Sequence, residues 1–515
     1  MLPEFRNESL TNFTIPENRQ AMEKALSYVE SQLGRYYPLI IGGERLETDQ
    51  ELVSINPSNK DEVVGRFAKG TKDMAEKAIE TAWETFQSWR WTHPDERARY
   101  LIKAAAIARR RKLELAAWMV FEEGKNWVEA DADVAEAIDF LEFYGREMMR
   151  LGERQLVVPY PGEENELYYI PLGVGAVIPP WNFPMAILVG MTSASLVTGN
   201  TVVLKPASTA PAIAAQFVDI LEEAGLPPGV VNFLPGPGGA IGDTIVGHPL
   251  TRFIAFTGSR EVGLHIHELA ATQAEGQIWI KRTILEMGGK DFIAVDQTAD
   301  LDAAADAIVV AAYGFQGQKC SACSRAIVEG SVYDAVLEKV VEKAKALTVG
   351  PVKDHKNYMG PVIDQLAYDK ILSYIEIGKK EGRLMCGGGK AHGNGFFIQP
   401  TVFADIKPDA RLAQEEIFGP VLAFIKARDF DHLIETANGT EYGLTGALFS
   451  TNRAHLERGR RELHVGNLYL NRKCTGALVG VQPFGGFNMS GTDSKAGGSD
   501  YLLLFTQAKS VAERF

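Results

Sequence analysis

An α/β protein of two or three domains, organised around a doubly wound parallel sheet, is the fold class this sequence predicts. Three observations point there. The chain has 515 residues, too many for one ordinary hydrophobic core. After Tyr160-Pro161-Gly162, short β-rich runs alternate with helical periodicity across brief Gly/Pro connections, the signature of parallel strands joined by crossover helices. A second series of the same kind starts near Glu286-Met287-Gly288-Gly289-Lys290.

Taken in order, residues 102–143 are Ala-rich, dotted with Arg and Glu and nearly free of breakers, so they read as helical. A strand is expected at 175–178, a helix at 185–197, a strand at 201–204 and a helix at 210–224. A strand at 230–234, a short helix after Gly239 and a strand at 252–256 follow. In such a sheet ligands lie beyond the carboxyl ends of the strands. That directs attention to the loops 179–184, 205–208, 235–239 and 257–263. The second series predicts a strand at 292–295, a helix at 301–313, a strand at 326–328 and a helix at 332–347. The tail 485–515, Gly-rich and then apolar, and the segment 156–170 are candidates to pack on a neighbouring subunit.

Lysine plus arginine number 53 against 66 acidic residues, a net charge of −13. An acidic surface disfavours nucleic acid or an anionic membrane as partner, while leaving a small anionic substrate open. Four cysteines in so long a chain are no disulfide framework and fit a reducing compartment. The first twenty residues lack the apolar run of a signal peptide and the acid-poor pattern of a transit peptide. Residues 167–204 carry no charge, but Pro171, Pro179, Pro180 and Pro184 interrupt them. A spanning helix needs roughly twenty mostly apolar residues. The expectation is therefore a soluble, cytoplasmic protein that takes a small-molecule substrate.

The strongest chemical cluster is Gln316-Gly317-Gln318-Lys319-Cys320-Ser321-Ala322-Cys323-Ser324-Arg325, placed between a helix and a strand. Only a thiolate is a good nucleophile, and Lys319 and Arg325 are candidates to favour one. The residues alone leave a buried, inert cysteine open. Cys320-x-x-Cys323 also permits half a zinc site or a redox pair, although zinc wants four ligands and Cys386 and Cys474 stand isolated. No metal is expected. By itself Asn182, between prolines, reads equally well as a turn residue, and Glu286 as a solvated strand-end carboxylate.

Several motifs together carry a resemblance. Pro180-Trp181-Asn182-Phe183-Pro184, Phe256-Thr257-Gly258-Ser259, Glu286-x-Gly288-Gly289-Lys290, Gly317-Gln318-x-Cys320 and Glu416-Ile417-Phe418-Gly419-Pro420 are similar, in this order, to those of the aldehyde dehydrogenase superfamily, and the likeness spans nearly the whole chain. The resemblance implies that family's fold: a doubly wound, Rossmann-like cofactor domain (1–150 and 172–284), an α/β catalytic domain (285–484) and an oligomerisation flap (151–171 and 485–515), assembled at least as a dimer. It makes Cys320 the nucleophile, the Asn182 amide and the Cys320 N–H the oxyanion donors, and Glu286 the base that activates water. It implies NAD held by Pro180, Trp181, Lys205, Ser208, Gly238, Ser259, Glu416 and Phe418. No G-x-G-x-x-G follows a strand; Gly236-Pro237-Gly238-Gly239 matches it poorly. Many NAD-preferring relatives have glutamate where this chain has Ser208, so NADP stays open.

Two further stretches, 124–140 and 466–486, resemble the branch of that family that oxidises L-glutamate γ-semialdehyde. In that branch Ser321 and the backbone N–H groups of Gly476 and Ala477 hold the substrate carboxylate, and Phe484 walls its chain. Backbone donors of this kind make an anion nest without a buried lysine. Asp131 is a candidate for the substrate ammonium. Another carboxylate-bearing semialdehyde, or a cofactor-free thiol esterase, is the alternative.

Overall fold

A computed structural model describes residues 3–515. Two seven-stranded sheets dominate. The first runs Arg282–Glu286, Thr251–Thr257, Val174–Ile178, Thr201–Leu204 and Val231–Phe233, all parallel, and ends in the antiparallel pair Leu39–Ile41 and Glu44–Leu46. The second runs Arg383–Cys386, Thr401–Ala404, Val421–Ala427, Arg325–Glu329, Phe292–Val295, Thr445–Phe449 and Asn467–Leu470, parallel except for the first strand. Helices cover both faces. Central strands such as Thr201–Leu204 and Phe292–Val295 are buried along their whole length, which is why they read as unbroken apolar runs rather than as alternating ones.

The expected strand–helix series is present, with ends moved by one or two residues; the helices Ala186–Val197 and Pro211–Ala224 are examples. The single helical stretch expected over 102–143 is corrected to three helices, Pro94–Arg110, Lys112–Glu122 and Trp127–Gly152. The last break has a local cause. Gly124 sits at φ +67, where a Cβ would lie 2.6 Å from the Pro361 ring. Asn126 then caps the new helix by accepting the Glu129 N–H at 2.9 Å.

Nothing in the sequence pattern marked the N-terminal strands. Arg35–Tyr37, Glu51–Asn56 and Asn59–Ala68 form a separate three-stranded sheet. Of the two stretches expected in a flap, Glu163–Pro171 and Thr506–Arg514 pair over nine residues as an antiparallel ribbon. Residues 487–505 lie elsewhere: Met287 N–H donates to Ser490 O and Thr492 N–H to Leu285 O, which places them beside the strand carrying Glu286. Among the described residues no helix is long and apolar enough to cross a membrane.

Candidate active site

Glu286 is the last residue of its strand, at the carboxyl edge of the first sheet, where a doubly wound fold binds ligands. Gly258 N–H donates to its carbonyl, and its carboxyl is buried with Oε1 unpaired among the described residues. The two glycines that follow are steric requirements. A Cβ on Gly288 would come within 2.3 Å of the Glu416 carboxylate, and one on Gly289 within 2.7 Å of the Cys320 carbonyl. Gly289 N–H donates to Glu416 Oε1 at 2.9 Å. The motif thus lets three chain segments meet around one point.

Cys320 is presented by a left-handed run, with φ of +49, +57 and +68 at Phe315, Gln316 and Gly317. Such backbone persists only where its surroundings over-determine it. Here Gln316 Nε2 donates to Pro361 O at 2.7 Å and its Oε1 accepts from Gly360 N–H, while Gln318 Oε1 accepts from Ile363 N–H. Behind them the buried Lys125 ammonium lies 4.5 Å from the Phe315 ring and 4.1 Å from that of Phe183, paired with Asp133 at 2.6 Å. Asp133 in turn accepts from Ala186 N–H. One buried ion pair therefore fixes the cysteine loop and the Asn182 loop to a single helix.

Two cavities meet at Cys320. The first, of about 500 Å³, is lined by Cys320, Ser321, Glu286, Gly476, Ala477 and Phe484 and reaches the chain's N-terminal segment. The second, of about 700 Å³, is lined by Pro180, Trp181, Asn182, Lys205, Gly238, Ser259, Glu416 and Phe418. Of the residues that the family resemblance assigns to catalysis, cofactor or substrate carboxylate, Ser208 alone lies on neither. That expectation is corrected: its hydroxyl faces Gly236 O at 3.3 Å, and Ala207 takes the place on the wall.

The 700 Å³ cavity fits a dinucleotide in kind and size. Gly238, Gly239 and Gly242 have nothing within 4 Å of where a Cβ would stand, leaving bare backbone at the start of the Gly238–Gly247 helix. Ser259 caps the facing helix, Arg260–Ala271. Two helix N-termini on one cavity suit a pyrophosphate. Lys205 is almost fully buried, its ammonium bonded among the described residues only to Pro206 O, and burial pulls it down to about 8.

Electrostatics at Cys320 differ from expectation. Lys319 Nζ is held by Glu129 at 2.6 Å, and Arg325 donates to the carbonyls of Lys290, Thr436 and Ala437. Neither supports a thiolate. Burial pushes the thiol well above its usual value, and Glu286, Asp291 and Glu416 push the same way whenever they are ionised. Burial also raises Glu286 to about 8, opposed only by Lys495. Asn182 Nδ2 donates to Gln318 O at 3.0 Å, two residues from the thiol, and retains one amide hydrogen. Cys323 is buried against Arg325 O, facing away from the second cavity. Among the described residues no group of three or more His, Cys, Asp or Glu side chains is placed to hold a metal.

At the far wall of the 500 Å³ cavity, Arg472 Nη2 donates to the carbonyls of Thr475 and Gly476 at 2.9 Å. That turns the peptide units so that the N–H groups of Gly476 and Ala477 have no acceptor among the described residues. Asp131 does not reach the cavity. It is buried and accepts from Thr11 N–H and Oγ1, with Lys112 Nζ at 3.1 Å. Sequence reasoning missed Glu136, which faces the same cavity as Glu286 and is raised by burial to about 8. Its only sequence signal is its place on the cavity face of the helix, one turn from Asp133.

The model of the aldehyde dehydrogenase family matches residues 44–511. Over 515 residues, all of both chains, the sequence is 63% identical to the 1-pyrroline-5-carboxylate dehydrogenase of Geobacillus kaustophilus (strain HTA426). It is 59% identical over the same span to 1-pyrroline-5-carboxylate dehydrogenase 1 of Halalkalibacterium halodurans. The solved 1-pyrroline-5-carboxylate dehydrogenase from Thermus with bound NAD matches with a TM-score of 0.98 at 56% identity, covering the whole of both chains.

Proposed function

This chain belongs to the aldehyde dehydrogenase family, and on that premise we propose that it oxidises L-glutamate γ-semialdehyde, formed from 1-pyrroline-5-carboxylate, to L-glutamate with NAD in proline catabolism. The observation that carries the substrate is the pair of free N–H groups at Gly476 and Ala477, across one cavity from Cys320 and beside Ser321. Exposed backbone donors of this kind select a carboxylate at the far end of an aldehyde.

In this reading the Cys320 thiol gives up its proton to solvent in the cavity, the thiolate attacks the aldehyde carbon, and as the C–S bond forms the carbonyl π pair moves onto oxygen, which takes the charge. The free Asn182 amide hydrogen and the Cys320 N–H meet that oxyanion, a contribution of the kind worth about 2.7–4 kcal/mol per donor. When bound, NAD accepts the hydride that leaves this carbon. Trp181, Glu416 and Phe418 would hold its nicotinamide end, Lys205 its adenosine ribose, and Gly238 and Ser259 its pyrophosphate. The thioester left on Cys320 is then attacked by a water whose proton passes to Glu286, releasing the acid and the thiol. Phe484 walls the aliphatic chain and keeps bulk water away.

Purified protein should turn over the semialdehyde with a kcat/KM about a hundredfold above that for hexanal, since an apolar chain filling the cavity would cut the Gly476 and Ala477 donors off from water without pairing them, at a cost of a few kcal/mol. Equal rates with hexanal, or a preference for betaine aldehyde, would refute the substrate. The same assay with NADP settles what Ser208 leaves open.

We propose 1–150 with 172–284 as the cofactor unit and 285–484 as the catalytic unit, with the flap narrowed from 151–171 and 485–515 to the paired strands Glu163–Pro171 and Thr506–Arg514 and their flanks. We assign the protein to the cytoplasm, where Cys320 stays a thiol. The ribbon and its base expose Leu156, Val158, Ile278, Ile280 and Phe515, each more than four-fifths accessible. Exposed apolar side chains at both ends of a two-stranded ribbon with open edges fit a homo-oligomer, at least a dimer. Light scattering should give at least twice the chain mass, and Leu156→Asp with Val158→Asp should lower it. A wild-type monomer would contradict this.

A further inference from the structure

Residues 3–11 have no regular secondary structure, yet they are bound along the Trp127–Gly152 helix and to the ends of the two helices before it. Phe5 packs edge-on against Phe143, with ring centroids 5.2 Å apart. Glu8 pairs with Arg109 at 2.8 Å, Lys112 Nζ donates to Ser9 O at 2.7 Å, and Thr11 closes on Asp131. This is more bonding than an extended surface segment needs. Its inner side is also a wall of the cavity that holds Cys320, through Asn7, Glu8 and Leu10.

The decisive contact is at Asn7. One amide group donates twice, to Asp139 Oδ2 on the helix and to Val479 O, both at 2.9 Å. The second oxygen of Asp139 accepts Glu8 N–H at 2.6 Å. Val479 lies two residues after Ala477, in the loop whose free N–H groups face Cys320. Phe5 approaches the same loop at Gly480, where a Cβ would stand 3.3 Å from its ring. Three segments far apart in sequence therefore close on one side chain.

We propose that residues 3–11 form a strap that fixes the carboxylate-holding loop at its working distance from Cys320, with Asn7 as the positioning residue. Asn7 touches no reacting atom. It acts by tying Val479 to Asp139, so that Gly476 and Ala477 keep the orientation an anion requires. Two N–H donors must point together for that, and a loop free to turn loses the second bond.

This inference rests on reading Gly476 and Ala477 as the carboxylate site, so the test separates the two ideas. Wild type, Asn7→Ala and Ser321→Ala are assayed with the semialdehyde, with propanal, which has no carboxylate, and with L-glutamate as inhibitor. Asn7→Ala should raise the semialdehyde KM and the glutamate inhibition constant about tenfold, the size expected for losing one or two hydrogen bonds. The kcat, the NAD KM and the propanal KM should stay within about twofold, and the thermal midpoint within a few degrees. Should Asn7→Ala fold poorly, Asn7→Ser interrupts the same link. If Ser321→Ala weakens both carboxylate readouts and Asn7→Ala weakens neither, the strap is overturned alone. An equal loss with propanal overturns it too, as a general structural effect. If Ser321→Ala changes nothing, the carboxylate site itself is misplaced, and the strap falls with it.

Discussion

Replacing Cys320 by alanine should reduce NAD reduction by at least about ten-thousandfold, because no other group can form the covalent adduct from which hydride leaves. The local structure makes this a clean test. Cys320 sits where both cavities meet and is half-buried. Its loop is held by Gln316 and Gln318 instead. The thermal midpoint should therefore stay put while activity disappears. Cys323→Ala is the paired control, since that thiol is buried against Arg325 O. It should retain activity within about threefold, the ordinary scale of a small core change with little effect on geometry. Loss of activity in Cys323→Ala with retention in Cys320→Ala would reverse the assignment. Calorimetric binding of NAD to Cys320→Ala should remain, which distinguishes a missing nucleophile from a damaged cofactor site.

How much of this was legible beforehand depended on whether partners were near in sequence. Strands such as Phe292–Val295 and Thr201–Leu204 matched to the residue because a fully buried strand bounded by turns is a local signal. The motif loops were also legible, since Gly288 and Gly289 are required by steric contacts of the motif itself. The misassigned charged side chains both have distant partners. Lys319 reads as an activator of its neighbour Cys320, but Glu129, 190 residues earlier, holds it. Asp131 reads as a possible substrate contact, but Thr11 occupies it from 120 residues away. Charged side chains show their type in a sequence and their partner only in a fold. Ser208 failed differently: a position borrowed from relatives carried no local reason to face the cavity.

That limit bears on the thiol. With neither Lys319 nor Arg325 beside it, and three carboxylates near, the resting site keeps Cys320 protonated. Such a site protects its nucleophile from oxidation and leaves activation to the bound state. Glu286, also held neutral near pH 7 by burial, shares the burden: whichever of the two loses its proton first makes it harder for the other.

Replacing Glu286 by glutamine should separate the two halves of the reaction. The first turnover, which needs only Cys320 and the oxyanion donors, should still release about one NADH per site. The steady state should then fall by about 10²- to 10⁴-fold, the usual contribution of a general base. A steady state equal to wild type would remove Glu286 from the mechanism. Its pH dependence follows from the raised carboxyl. A base must be ionised, and with a value of about 8 the ionised fraction falls about tenfold per pH unit below that point. The deacylation rate of the wild type should therefore climb with pH and level off near 8, while the residual rate of Glu286→Gln should lack that rise. Stability should move the opposite way. Between the ordinary carboxyl value of 4.5 and the folded value of about 8, the native state holds a proton that the unfolded chain has released, so stability falls as pH rises through this window. Glutamine has no charge to bury. The variant should match the wild type below about pH 4.5 and exceed it at pH 9 by something on the order of one to a few kcal/mol. A side chain that lowers stability most where it is ionised, and is needed for turnover in that same form, is what a buried general base should show. Equal thermal midpoints for variant and wild type at pH 9 would mean that Glu286 is solvated in the working enzyme.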